Sequence, residues 1–417
     1  MRGLAWAAGL WAMASLAWVA AAPGARGDYV PPPDSAGGWR TLADAAAIRK
    51  TAGMDLTRLD AAFAYEQETS QHGGLIVVRH GYLVYEKYFG KANREAHPDM
   101  ASIGKAFTSI ACGILLEEKR AQIPDGLETK VFTERYLPEA FPLSDPRKAE
   151  IRLGQLLTMT SGMHGDGANP GIVHGEDRKV EAAPRPSEPQ DQDTSALRAA
   201  MWTDPGGGYA YASGSPHVAS IVLRHLAGME MQQYIAEKLA TPMGFGAWGY
   251  ALHRNGNTLP HTPGGGGIAL RATDAVRFAY LLLHKGRWGG RQLVPAAYVE
   301  MCGRPSPYDP HAPMSLMFEV NADGHVFGAP RDAFFKSGAG GSGIYVVPSL
   351  DLAIYKMSAS DAQMDPALTG LPVTWEMDHS RDGWKPGPHD QFHDGPVGGD
   401  DGVRRLLEMV SAAVIGN

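Results

Sequence analysis

Ser102 and Lys105 stand three residues apart in Met100-Ala101-Ser102-Ile103-Gly104-Lys105-Ala106-Phe107-Thr108. The segment that follows repeats apolar residues at helical spacing (Phe107, Ile110, Ala111, Ile114, Leu115) and ends in Glu117-Glu118-Lys119-Arg120, which predicts a helix buried on one face. A serine opening such a helix places its hydroxyl at the positive end of the helix dipole, where a developing alkoxide is favoured. A lysine one turn on lies on the same face, and an amine kept neutral by burial can take the serine proton. Serine-x-x-lysine is common by chance, and an N-cap serine beside a solvated lysine accounts for the same four residues. The rest of the chain has to decide between these readings.

Other groupings are weaker. Gly338-Ala339-Gly340-Gly341-Ser342-Gly343 has the spacing of a dinucleotide fingerprint, but it precedes a predicted strand rather than opening a helix after one. Its glycines are expected instead to let a strand edge and a ligand approach closely. His379, His389 and His393 form a loose cluster, yet Pro386, Gly387, Pro388 and Gly395 among them make a metal-binding helix a poor reading, and no metal is expected. No serine sits in a Gly-x-Ser-x-Gly elbow, which removes the α/β-hydrolase arrangement. Two further stretches fit Ser102 and Lys105. Tyr211 lies in the glycine-rich run Pro205-Gly206-Gly207-Gly208-Tyr209-Ala210-Tyr211-Ala212-Ser213 between helices, where a phenol can face a cleft. Lys336-Ser337-Gly338 ends a strand with small residues after it, which leaves room for a substrate along the edge.

The elements that must position these groups can be read in order. Residues 1–22 carry one arginine and then an uncharged apolar run to Ala22, the pattern of a signal peptide, so a secreted or periplasmic protein is expected, with no stable membrane association after cleavage. Residues 23–44 are rich in Pro and Gly and are expected to be a tether. A helix is predicted from Asp55 to Gln67, and then a hairpin of Leu75–Arg79 and Tyr82–Phe89 turning at His80-Gly81. After the Ser102 helix come a short helix within Ile151–Thr160, a long polar loop from His164 to about Thr194 expected at a cleft, and an amphipathic helix reaching Leu226. Gly264–Gly267 is expected to be a flexible turn, with Thr273 and Asp274 capping a helix from Ala275 to Leu283. Phe334–Lys336, Gly343–Val347 and Leu352–Lys356 are predicted strands, and Val403, Leu406, Leu407, Val410 and Val414 mark a closing helix. Strands near both ends with helices between predict an α/β (α+β) fold, one sheet built from the terminal segments with a mainly helical lobe inserted. The expected division is 45–100 and 265–417 for the sheet lobe and 101–264 for the helical lobe. The net charge of −7 without a basic stripe argues against nucleic acid, and Cys112 and Cys302, the two cysteines, are expected to be buried and unbridged.

Taken together and in order, these segments resemble the serine β-lactamase and penicillin-binding superfamily, most closely its class C, carboxypeptidase and esterase-like branch, over about residues 45–360. Ile151-Arg152-Leu153-Gly154-Gln155-Leu156-Leu157-Thr158-Met159-Thr160-Ser161-Gly162 and Gly266–Asp274 also look like family segments. The resemblance implies a β-lactamase/transpeptidase-like fold with an antiparallel sheet, and an acyl-enzyme mechanism without metal or organic cofactor. It implies Ser102 as nucleophile, Lys105 as its partner and Tyr211 as general base and then acid. Ser213 would contact substrate. Lys336 and Ser337, with Gly338, would face its carboxylate or carbonyl, and the N–H groups of Ser102 and Ala339 would form the oxyanion hole. Lys336 could alternatively hold Lys105 and Tyr211 in their working protonation states. Two departures stand out: class C enzymes carry asparagine at the place of Ser213, and many esterase-like relatives carry histidine or tryptophan at that of Lys336. The expected activity is hydrolysis of small esters or amides, including D-amino-acid peptides. The alternatives are a true class C-type β-lactamase and a non-catalytic penicillin- or peptidoglycan-binding receptor.

Overall fold

A computed structural model describes residues 29–42, 44–167, 171–180, 191–254, 257–371, 381, 383–385 and 402–416. The expected signal peptide and His379, His389 and His393 lie outside the described residues. The core is a seven-stranded, wholly antiparallel sheet. Its strands are β1 (His72–Arg79), β2 (Tyr82–Phe89), β3 (Met314–Ser315), β4 (Phe318–Val320), β5 (Phe334–Gly338), β6 (Ser342–Val347) and β7 (Leu352–Ala359), in the spatial order β3-β4-β5-β6-β7-β1-β2. The sequence-distant β1 and β7 are neighbours, with His72 opposite Ala359 and Arg79 opposite Leu352. The sheet is thus closed from the two ends of the chain, as the strand pattern predicts.

β1 and β7 are buried along their whole length, because apolar residues occupy both faces. Alternate residues point to opposite sides of a strand, and the two cores divide accordingly. Leu75, Val77, Leu352 and Ile354 pack with Leu59 and Ala62 of α1 (Leu56–Thr69) and with Val403, Leu406, Leu407 and Val410 of the terminal helix Gly402–Ala412. Ile76, Val78, Ala353, Tyr355 and Met357 face the larger core, which includes α2 (Gly104–Glu118), α3 (Gly214–Ala227) and α4 (Ala272–Leu283); the terminal helix is α5. Every residue of α2 from Gly104 to Leu115 is buried, and Phe107 stacks on Phe278 of α4 with ring centroids 3.8 Å apart. Cys112 and Cys302 are buried free thiols in this core.

Four local readings are corrected. Ser102 does not cap α2: it sits in a 3₁₀ turn, Ala101–Ile103, and α2 begins at Gly104 with no side-chain cap. α4 begins at Ala272 rather than Ala275, and Thr273 and Asp274 are not its caps. Asp274 is buried between Arg271 and Arg277, while Thr273 Oγ1 donates to Asp34 at 2.7 Å. The described part of the Pro/Gly-rich N-terminal stretch is docked: Arg277 donates to the carbonyls of Pro31 and Pro32 and to Asp34, and the Tyr280 hydroxyl donates to the Tyr29 carbonyl. Gly264–Gly267 is not a free turn but a packed crossing beside the start of α2. A Cβ on Gly266 would lie 2.7 Å from the Ala101 carbonyl oxygen, and one on Gly104 would lie 2.9 Å from Gly266. Among the described residues no helix is long and apolar enough to cross a membrane.

Candidate active site

The backbone of the Ser102 turn is held from several sides. Ala101 has φ +47°, a left-handed conformation a non-glycine residue adopts only when its surroundings enforce it. Its N–H donates to Asp99 Oδ1 at 2.8 Å, and its carbonyl accepts from the Gly267 N–H at 2.9 Å. Behind it, the Met100 N–H donates to the Ile268 carbonyl at 2.9 Å. Gly338 at the end of β5 presses on the same turn: a Cβ there would lie 2.1 Å from the Met100 carbonyl oxygen and 3.3 Å from Ser102 N. The glycines of this run therefore allow backbone to meet backbone, with the Ser102 amide beside the strand end that leads to Ala339.

Lys105 Nζ donates to Ser102 Oγ at 2.8 Å and to the Gly265 carbonyl at 2.5 Å. The lysine is only 1% exposed, so the solvated-lysine reading is excluded. Its ammonium lies 5.1 Å from the centre of the Tyr211 ring, and Lys336 Nζ lies 5.4 Å from the same ring. Burial holds the Lys105 amine below its ordinary pKa against the opposing pull of Tyr211, with Lys336 adding to the depression. Burial alone would raise the Tyr211 phenol, but Lys105, Lys336 and the neighbouring Ser102 hydroxyl outweigh it and bring the phenol below its usual value. Both groups are held below their ordinary values, and with Lys105 Nζ on Ser102 Oγ the serine proton has a path to the Lys105–Tyr211 pair. Tyr211 is half-buried rather than a core tyrosine.

Ser213 is occupied. Its N–H donates to Asp166 Oδ1 at 2.9 Å and its hydroxyl to Asp166 Oδ2, while the Asp166 N–H donates to the Tyr211 carbonyl at 2.7 Å. Ser337 and Lys336 also have a partner within the protein. The Ser337 hydroxyl donates to Glu319 Oε1 at 2.7 Å, and Lys336 Nζ lies 3.7 Å from the same oxygen. Gln363 Nε2 bridges the Asp99 carbonyl (2.9 Å) and the Ala339 carbonyl (2.8 Å), tying the Ser102 segment to the β5–β6 turn. Beneath that turn Lys356 Nζ donates to the Gly341 carbonyl at 2.7 Å and pairs with Glu66 at 2.8 Å, both side chains fully buried. Burial pushes the Glu66 carboxyl up to about 7, against the pull of Lys356.

These groups line or adjoin a cleft of about 1140 Å³ whose walls include Ser102, Lys105, Asp166, Ser213 and Gly265, and on the side of the polar loop His164 and Gln192. Ser102, Lys105 and Ser213 line this cleft, and Tyr211 joins Lys105 to Lys336 beside it, while Ser213 and Ser337 face carboxylates of the protein itself. Sequence patterning does not point to Asp166, Glu319 or Gln363, which lie in a polar loop, a three-residue strand and a turn without motif. Among the described residues no cluster of three His, Cys, Asp or Glu side chains is placed to hold a metal ion.

A sheet built from both chain ends, an inserted helical lobe and a Ser-x-x-Lys turn facing a tyrosine define the class, and the chain belongs to the beta-lactamase family, whose model matches residues 59–374. Solved structures share the fold. A Bacteroides dorei protein provisionally named a beta-lactamase has TM-score 0.57 at 18% identity, covering 74% of this chain and 92% of its own. A Bacillus anthracis protein provisionally named a 6-aminohexanoate-dimer hydrolase has TM-score 0.57 at 20% identity, covering 81% and 85%. EstCE1, described as a hydrolase with promiscuous acyltransferase activity, has TM-score 0.57 at 17% identity, covering 73% and 93%. No curated protein matches the chain.

Proposed function

We propose that this protein is an exported serine hydrolase that cleaves small esters or amides through an acyl-enzyme. The observation that carries the reading is the contact of buried Lys105 Nζ with Ser102 Oγ at 2.8 Å, with Tyr211 beside both. In the reaction Ser102 Oγ attacks the substrate carbonyl as its proton passes to the Lys105–Tyr211 pair. The N–H groups of Ser102 and Ala339 take the developing oxyanion, an element typically worth ~3–4 kcal/mol per donor. Tyr211 then protonates the leaving alcohol or amine, and a water activated by the same phenolate releases the acid. Hydrolysis and acyl transfer, the activities in the printed descriptions of the fold neighbours, are two exits from one such intermediate. The apolar run of residues 1–22 supports export.

Intact-mass spectrometry after mixing with a fluorophosphonate, a penicillin and a p-nitrophenyl ester in turn tests this. The expected result is a fluorophosphonate adduct on Ser102, a short-lived acyl adduct with the ester, and neither in Ser102→Ala. Turnover surviving that substitution overturns the mechanism. A long-lived penicillin adduct without ester turnover replaces the hydrolase by a receptor.

A further inference from the structure

Lys336 and Ser337, at the end of a strand beside the nucleophile, form the kind of corner that receives a substrate carboxylate: a cation and a hydroxyl side by side. Here the corner is filled from within. Glu319 lies on β4 opposite Phe335, one residue from Lys336 in register. Its Oε1 accepts from the Ser337 hydroxyl at 2.7 Å and sits 3.7 Å from Lys336 Nζ, and its Oε2 lies 3.5 Å from Arg404 Nη2 of α5. The carboxylate is 14% exposed, and the Lys336 side chain 1%. Burial alone would favour its neutral form, but Lys336, Arg404 and the Ser337 hydroxyl hold the Glu319 carboxyl below the usual range, so it is an anion at neutral pH.

We propose that Glu319 is a built-in occupant of the carboxylate corner and that this enzyme therefore takes acyl donors without a carboxylate at that end, uncharged esters or amides rather than acidic ones. This rests on the reading of Ser102 as the acylated nucleophile. The physical argument is discrimination by exclusion. A substrate carboxylate arriving at Lys336 and Ser337 finds the hydroxyl proton already committed and meets a fixed negative charge. It would sit beside a like charge in a partly dry site, which binding selects against strongly. An uncharged substrate meets neither penalty. The same arrangement keeps the Lys336 ammonium turned to Tyr211, where it supports the base rather than the substrate.

The test uses two matched substrate pairs, p-nitrophenyl butyrate against p-nitrophenyl hemisuccinate, and phenyl acetate against 3-carboxyphenyl acetate. They place the carboxylate on the acyl and on the leaving-group side. The quantity read is the ratio of kcat/KM, acidic over neutral, in the wild type, Glu319→Gln, Glu319→Ala and Glu319→Asp. A general loss of structure moves both members of a pair together and leaves the ratio unchanged. Expected are wild-type ratios well below one, and a rise of about 10-fold or more in at least one pair on Glu319→Gln and Glu319→Ala. Glu319→Asp, which keeps the charge, should stay low. Ratios unchanged in both pairs, or a wild type that already prefers the acidic members, overturn the proposal. Where the neutral variants fail to fold, the wild-type ratios decide alone. Benzoate titrated calorimetrically into the wild type and Glu319→Gln reads the same corner without turnover: binding by the variant only is expected, and equal binding counts against the proposal. Absence of a fluorophosphonate adduct on wild-type Ser102 is a separate failure, that of the acyl-enzyme reading, and the benzoate titration is blind to it.

Discussion

Three cationic or acidic protons compete within one hydrogen-bonding neighbourhood at Ser102, Lys105 and Tyr211, and the chemistry follows from which of them is cheapest to move. Guanidinium cannot give up its proton, so Lys105→Arg should reduce kcat for a neutral ester by ~10²–10⁴-fold while leaving the melting temperature close to that of the wild type. An arginine variant with near-normal turnover, measured at the same pH, would mean that Lys105 only fills space. Lys336 acts one step further out. Its charge lowers the Tyr211 phenol and the Lys105 amine alike, so the base form is reached at lower pH. Removing that charge in Lys336→Met moves both groups upward, and the rising limb of kcat/KM against pH should shift to higher pH. At pH 7 acidic and neutral esters should lose about 10–100-fold together. A pH profile that stays in place, with loss confined to an acidic ester, would return Lys336 to the role of a substrate anchor.

At the scale of elements, what matters is how closely three backbones meet: the Ser102 turn, the Gly264–Gly267 crossing and the end of β5. Gly338→Ala would put a methyl 2.1 Å from the Met100 carbonyl oxygen, a backbone atom that cannot step aside. The strand must retreat from Ser102, and a displacement of that order at a reacting centre costs about 10²-fold in rate. Calorimetry of the same variant should show a much smaller loss of stability than of activity; unchanged kcat would show that the strand end does not position the oxyanion donors. The long elements and their order were legible in the sequence, because period-2 and period-3.6 apolar patterns survive without tertiary knowledge. Ser102, Lys105, Tyr211 and Lys336 were legible by type and order. What escaped was set by neighbours far along the chain. Thr273 and Asp274 look like caps until Asp34, Arg271 and Arg277 are seen around them. Gly264–Gly267 looks flexible until Lys105, Thr108 and His217 are found bonded to it. Glu319 carries no local signal at all, since its meaning lies in Lys336, Ser337 and Arg404.

For the molecule as a whole, the Glu66–Lys356 pair sits where α1, β7 and the β5–β6 turn meet, with no exposure to water. Removing one member leaves the other buried and uncompensated. Glu66→Ala should therefore cost ~3–5 kcal/mol in chemical denaturation, and the double variant Glu66→Leu/Lys356→Met should recover a large part of that loss. Additive losses in the double variant would show that the two side chains do not depend on each other.

The pairing of β1 with β7 also governs when the protein can become active. His72 has no strand partner on that side until Ala359 is present, and Lys105 finds the Gly265 carbonyl only across a separation of 160 positions. Contacts of such long range are slow to form, because loop closure must come before they reward it. A nascent chain would carry Ser102 early and yet lack both β5, which faces it, and β7, which joins β1 to the rest of the sheet, until far later in its synthesis. Acquisition of fluorophosphonate reactivity thus serves as a clock for the last stage of folding, and it should lag the recovery of helical circular dichroism during refolding.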